Sequence, residues 1–191
     1  MRVGVLALQG AFREHVLALE VLGVGVTAVR LPAQLEELDG LVIPGGESTA
    51  ISKLMVTYGF YEPIVERVSE GMAVWGTCAG AILIAKNVVD GIADQRGLEL
   101  MDIDVRRNAF GRQKDSFEVE LDFADFDRTY TGVFIRAPRI ERIGPDVQVL
   151  ATHEDAIVAA RQGRFMATSF HPELTGDPRV HRYFVESVIG G

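Results

Sequence analysis

A chain of 191 residues, 48% hydrophobic and 24% charged, has the balance of a globular protein with a substantial core. Its 19 basic and 27 acidic side chains leave a net charge of −8, which argues against a main role in gripping nucleic acid through phosphates. No stretch approaches the roughly 20 uninterrupted apolar residues of a membrane span, and the N-terminal apolar run, stopped at Gln9 with only Arg2 before it, suits a strand better than a signal peptide.

In chain order, residues 3–8 are apolar on both parities, which predicts a strand buried on both faces. Phe12, Val16, Leu19 and Leu22 recur at spacings of three and four, the mark of a helix with one core face. Residues 24–31 read as a second strand closed by Pro32, and residues 41–43 as a third, ending in the turn Pro44, Gly45, Gly46. Ile51, Leu54 and Met55 mark a helix, Ile64, Val65 and Val68 another, residues 72–75 a fourth strand, and residues 79–87 a further helix. Beyond about residue 100 the texture changes. Met101, Ile103 and Val105 alternate with Asp102 and Asp104, as Phe117, Val119 and Leu121 do with Glu118 and Glu120, which predicts half-exposed antiparallel strands added to one edge. Strand patterns continue at 132–135, 147–151, 156–160 and 165–170, and a last helix from near Pro178 carries Val180, Tyr183, Phe184 and Val188 on one face. The expected architecture is a single α/β domain over residues 1–191, a mostly parallel sheet flanked by helices with antiparallel strands added.

Cys78 is the only cysteine. It can form no intrachain disulfide and excludes a zinc site of two to four thiolates; a reducing, cytoplasmic setting fits it best. It is either a small buried hydrophobe or a nucleophile. It sits in Gly76, Thr77, Cys78, Ala79, Gly80, between a predicted strand and a predicted helix, with a glycine two places to either side. That is the spacing of a nucleophile elbow with Cys in place of Ser. The helix that follows would set its N-terminal N–H groups and dipole against the sulfur, favouring thiolate, and the N–H of Ala79 falls where an oxyanion donor belongs.

A thiolate acting on an acyl group needs a proton carrier for the leaving group. For His15, on a helix with acidic neighbours, His153, in a polar turn, and His181, on the last helix, surface or helix-face roles suffice. His171 differs: it ends an apolar run and precedes Pro172 and Glu173. If Pro172 keeps this stretch extended, Glu173 points the same way as His171 and can orient its ring. Cys, His and Glu in that order on an α/β scaffold follow triad logic.

A third candidate site, Gly46, Glu47 and Ser48, lies at the C-terminal end of a strand, where open parallel sheets bind ligands. Gly46 could offer an N–H to an oxyanion, Glu47 could receive an ammonium, and Ser48 could cap a helix. Two glycines without a following Gly-Lys-Ser/Thr make no phosphate loop, and Gly23 and Gly25 precede a strand, the wrong side for a dinucleotide fingerprint. Arg107 and Arg136 sit at loop-like strand ends, where an arginine fork suits a carboxylate.

With these residues quoted, the sequence resembles the triad-type glutamine amidotransferases. The stretches 6–10, 44–49, 76–80, 107–113, 134–138 and 169–174 narrow the resemblance to the glutaminase subunits of pyridoxal 5'-phosphate synthase, from end to end of the chain. The resemblance implies a class I, flavodoxin-like three-layer fold and a Cys78–His171–Glu173 triad. It implies glutamine contacts from Gly46, Glu47, Ser48, Arg107, Ile135 (through its backbone) and Arg136, and an oxyanion hole near Gly46 and Ala79. It further implies ammonia passed to a (β/α)8-barrel synthase subunit in a large hetero-oligomer, dependence on that partner with a part for the Gln9–Gly10 turn, and no metal or organic cofactor. The alternatives are the glutaminase of another amidotransferase such as imidazole glycerol phosphate synthase, and a non-hydrolytic thiol-sensing protein of similar fold. A cysteine protease fits less well, because Glu47 and Arg107 suit a small zwitterion.

Overall fold

The computed structural model describes residues 1–91, 95–107, 109 and 116–191. The first half is a strand–helix alternation: β1 (Arg2–Leu6), α1 (Phe12–Glu20), β2 (Gly25–Val29), β3 (Gly40–Ile43), α2 (Ser48–Thr57), α3 (Tyr61–Ser69), β4 (Ala73–Thr77) and α4 (Ala79–Ile84). Strands then dominate: β5 (Ala85–Val88), β6 (Met101–Arg106), β7 (Ser116–Leu121), β8 (Tyr130–Ile135), β9 (Arg139–Ile143), β10 (Gln148–His153), β11 (Ala156–Gln162) and β12 (Phe165–Thr168). Helix α5 (Arg179–Tyr183) closes the described chain, running on through Phe184–Ile189 with π-type spacing.

Strands β2, β1, β3, β4 and β12 lie side by side in that order, all parallel. This is the flavodoxin-type winding, in which the loops at the carboxyl ends of the strands form the ligand crevice. The sheet continues through β11, β9, β6 and β5, with antiparallel pairing from β12 to β6, and β10 pairs antiparallel with β11 from Ala156 to Arg161.

Because side chains alternate along a strand, the central strands feed two cores. Val3, Val5, Val42, Ala73 and Trp75 face α1 and α5, packing with Leu19, Val180, Phe184 and Val188. Leu6, Leu41, Ile43 and Val74 face the other way, against Ile51, Met55, Ile64 and the buried α4. Burial on both faces explains why these strands read as continuous apolar runs.

Two expectations are corrected and one strand is added. The helix expected over 79–87 ends at Ile84, and Ala85–Val88 is strand β5. The N–H groups of Leu98 and Leu100 take the carbonyls of Leu83 and Ile84 at 2.7 and 3.0 Å, and β5 pairs with β6, where Asn87 donates to Asp104 at 2.8 Å. Pairing with a distant strand outweighs local helix propensity there. Strand β7 is not added to the main sheet: it forms a two-stranded ribbon with β8, with Phe117 stacked on Phe134 at 4.7 Å between ring centroids. Strand β9 was not foreseen, because Arg139, Glu141 and Arg142 mask its apolar positions. Their charges are met across the sheet and by nearby loops, Arg142 by Asp102 and Asp104, Glu141 by Arg106, and Arg139 by Asp155.

Candidate active site

Cys78 stands between β4 and α4 with φ 48° and ψ −104°, a left-handed conformation that costs free energy in a non-glycine residue and recurs at functional sites. The surrounding backbone enforces it. The Cys78 N–H donates to the Thr168 carbonyl at 2.8 Å, pinning the elbow to the neighbouring strand β12. Both flanking glycines are needed for close approach: a Cβ on Gly80 would collide with the carbonyl of Ile43, and one on Gly76 with the backbone of Gly80. The strand–turn–helix context required of a nucleophile elbow is therefore present.

His171 lies three residues beyond β12, its N–H donating to the Val133 carbonyl at 2.7 Å. Its Nδ1 is 2.8 Å from Oε1 of Glu173, which leaves Nε2 as the ring nitrogen free of that contact. The connection differs from the extended stretch expected. Pro172–Leu174 is a single 3₁₀ turn with Pro172 at its start, a place where a proline's locked φ is tolerated. The turn is anchored by the Tyr130 hydroxyl, 2.9 Å from Oγ1 of Thr175 and 3.3 Å from the Pro172 carbonyl. Cys78, His171 and Glu173 are all buried, at 7%, 7% and 8% exposure.

Burial by itself would push the His171 imidazolium to lose its proton. The hydrogen bonds and charges of Cys78 and Glu173 override it and lift the pKa to about 10. Burial likewise opposes ionisation of Glu173, yet the nearby His15 and its hydrogen bond with His171 hold the carboxyl below the usual range. At neutral pH the pair is imidazolium and carboxylate.

A cavity of about 340 Å³ opens in front of Cys78 and His171. Gly46, Glu47, Ser48, Ala79, Arg107, Ile135 and Arg136 line it, so every site residue proposed from sequence meets there except Glu173, which stands behind His171. The Ile135 carbonyl accepts the Cys78 thiol at 3.9 Å, and Arg136, with φ 43°, turns the chain out of β8. Asn108 and residues 110–113 of the arginine-bearing run lie outside the described residues.

Opposite the nucleophile, Glu47 caps α2: its two carboxylate oxygens accept the N–H groups of Thr49 at 3.0 Å and Ala50 at 2.7 Å. The cap is therefore Glu47 rather than Ser48. Burial resists its charge, but these hydrogen bonds and the Arg107 guanidinium, 3.7 Å away, keep the Glu47 carboxyl below its ordinary value. An α-amino acid carries its ammonium and carboxylate on one carbon, and a carboxylate beside a guanidinium matches that pair of charges. Among the described residues, no group of three or more His, Cys, Asp or Glu side chains is placed to hold a metal ion.

The resemblance gave the Gln9–Gly10 turn a part, but sequence reasoning missed where the Gln9 side chain goes and the burial of two histidines. Gln9 lines the cavity as a side chain, its Oε1 accepting the Glu47 N–H at 2.9 Å. His15 and His181, for which surface or helix-face roles were expected, are fully buried, His15 against Glu173 and His181 against His15. The signal was there: His15 sits three residues after Phe12 and four before Leu19, and His181 three before Phe184, on the apolar faces of their helices.

A parallel sheet carrying a cysteine elbow, with a His–Glu pair just beyond its last parallel strand, is the design of a class I glutamine amidotransferase, and solved structures share the fold. A crystal structure of a glutamine amidotransferase superposes with a TM-score of 0.93 at 51% identity, covering 99% of each chain. The structure of PurLQS from Thermotoga maritima shares the fold, with a TM-score of 0.71 at 17% identity and 97% of each chain covered. Residues 5–190 match the SNO glutamine amidotransferase family, and this chain belongs to that family. Pyridoxal 5'-phosphate synthase subunit PdxT of Herpetosiphon aurantiacus is 55% identical over 188 residues, 97% of this chain and 99% of that protein.

Proposed function

We propose that this chain is the glutaminase subunit of a pyridoxal 5'-phosphate synthase, hydrolysing L-glutamine to L-glutamate and ammonia through Cys78, His171 and Glu173. The observation that carries this reading is one cavity lined by Cys78 and His171, with Glu173 behind the imidazole, and by the Glu47–Arg107 charge pair. The end-to-end likeness to subunits named for that synthase selects this amidotransferase over those of other pathways.

Glutamine enters with its α-carboxylate toward Arg107 and its α-ammonium toward Glu47, which directs the side-chain carboxamide to Cys78. The thiolate adds to the carboxamide carbon, and the oxygen takes the negative charge beside the backbone N–H groups of Gly46 and Ala79. His171 passes its proton to the amide nitrogen as the C–N bond breaks, giving ammonia and a thioester on Cys78. Water then gives a proton to the neutral His171 and adds to the thioester carbon. Collapse expels the thiolate, releases glutamate and restores the imidazolium, while Glu173 holds the ring throughout. The ammonia goes to a (β/α)8-barrel synthase subunit in a hetero-oligomer, as the family resemblance implies, and its sequestration on the way has a chemical reason: in neutral water ammonia becomes ammonium and loses its nucleophilic lone pair. Gln9, seated against Gly46, is the side chain to move when such a partner docks. A reducing, cytoplasmic setting suits a chain whose only cysteine is Cys78.

The test is glutamine hydrolysis with and without the synthase subunit. Stimulation by that partner, lost in Cys78→Ala and in His171→Asn, is the expected result. Stimulation by imidazole glycerol phosphate synthase in its place, or undiminished hydrolysis in both variants, would overturn the reading.

A further inference from the structure

Behind the triad lies a polar cluster that the mechanism above does not use. His15 on α1 and His181 on α5 come from opposite ends of the chain and are both fully buried. Nδ1 of His15 is 2.9 Å from Nε2 of His181. Nε2 of His15 is 3.2 Å from Oγ1 of Thr77, the residue before the nucleophile, and 3.3 Å from Oε2 of Glu173. The Trp75 ring meets both imidazoles edge-on, at 5.5 and 5.0 Å between centroids.

Counting protons assigns the direction of this chain. Burial holds His15 below its ordinary pKa, against the opposing pull of Glu173 and Glu14 and with help from His171; burial and His15 hold His181 lower still. Each ring is therefore neutral at pH 7 and carries one N–H. Oε1 of Glu173 is taken by His171, while Oε2 is buried with no hydrogen bond of good geometry among the described residues. A buried carboxylate oxygen needs a donor. With its proton on Nε2, His15 sets an N–H edge 3.3 Å from Oε2, beside its hydrogen-bond contact with Oγ1 of Thr77 at 3.2 Å. Nδ1 of His15 then accepts from Nε2–H of His181, and Nδ1 of His181 remains a bare lone pair, which matches its having no hydrogen-bond partner. The opposite assignment sets a His15 lone pair against the carboxylate and strands a buried N–H on His181.

We infer that His15, its tautomer set by His181, is a positioning residue for the triad. Its Nε2–H edge faces the second oxygen of Glu173 at 3.3 Å, so that the carboxylate orienting His171 meets a positive N–H edge at both ends. The inference rests on Cys78, His171 and Glu173 being the glutaminase triad. His15 itself lines no part of the cavity.

The test compares His15→Asn with His15→Gln in the glutaminase–synthase complex. The asparagine amide matches the Nδ1 position, within reach of His181 and short of Glu173; the glutamine amide matches Nε2 and restores a donor to Oε2. His15→Asn is expected to lower kcat roughly tenfold or more and leave the KM for glutamine within about twofold. It should also move the acidic limb of the kcat profile up by about one pH unit, because Glu173 loses a donor to its charged form. His15→Gln is expected to recover most of kcat and the wild-type limb. Equal impairment of the two variants with no shift of the limb, a rise in KM alone, or no effect of either would overturn the inference. Cys78→Ala is assayed alongside: hydrolysis surviving that change sinks the triad reading itself, whereas its loss together with a silent His15→Asn sinks only the role of His15. A third measurement needs no variant. Long-range proton–nitrogen NMR correlations of the wild-type chain should show His15 and His181 both as neutral Nε2–H tautomers, and a proton on Nδ1 of His15 would refute the assignment.

Discussion

Nδ1 of His171 lies 2.8 Å from Oε1 of Glu173, two residues along the same 3₁₀ turn, with both side chains almost closed to water. The hydrogen bonds and charges of Cys78 and of Glu173 together bind the imidazole proton tightly, which is why His171 is raised to about 10 in spite of burial. The imidazolium that protonates departing ammonia therefore persists across neutral pH, and glutaminase kcat should fall on the alkaline side near pH 10. Glu173→Gln removes one of the causes that raise His171, so the alkaline limb should move to lower pH, with kcat reduced by about 10²–10⁴-fold. A pH–rate profile of each protein checks it, and an unmoved limb would count against the pair.

Glu47 and Arg107 stand 3.7 Å apart at the cavity wall, away from the scissile amide in the proposed pose. Their effect belongs to binding. Arg107→Ala is expected to raise KM for glutamine by about 10- to 100-fold, the cost of losing a charged hydrogen-bond donor, with a smaller change in kcat. Steady-state kinetics distinguishes this from a defect in the chemical step.

The elbow also predicts a packing cost. A methyl on Gly80 has no room against the Ile43 carbonyl, so Gly80→Ala must push α4 from β3 and tilt the segment that holds Cys78. Urea unfolding should show a loss of about 1–3 kcal/mol, with a disproportionate loss of hydrolysis, while Gly23→Ala, on an open loop where the added methyl meets nothing, gives only the smaller cost of its positive φ.

His15 and His181 are held below their ordinary pKa, so between about pH 6.5 and their folded values the unfolded chain binds more protons than the folded one. Stability should therefore fall as pH drops below about 6.5, by up to ~1.4 kcal/mol per pH unit for each group. His171 has the opposite sign: its contribution is full below about 6.5 and is lost as pH rises toward 10. Unfolding free energies of the wild type and His181→Leu at pH 5.5 and 7.5 test this, with a shallower acid slope expected in the variant.

Much of this architecture was legible residue by residue. The doubly apolar runs of β1, β3 and β4 announced strands buried on both faces, and glycines two places either side of Cys78 announced the elbow. The charged strand β9 was not legible, because its arginines and Glu141 look solvent-bound until the carboxylates and guanidinium that pair with them are placed alongside. Nor was β5, whose residues read as a helix until a strand arriving from residue 101 onward takes up its backbone.

By itself the sequence determined the solitary thiol, its place between strand and helix, the His171–Glu173 neighbourhood and the family resemblance, because each depends on spacing along the chain. Only the tertiary structure decided that His15 and His181 are buried against Glu173, that Gln9 enters the cavity and that Glu47 both caps α2 and faces Arg107. The reason is physical. A periodic pattern tells which face of a helix a side chain occupies, but burial, protonation and hydrogen bonding depend on what covers that face, and here Gln9 meets a residue 38 positions away and His15 one 166 positions away.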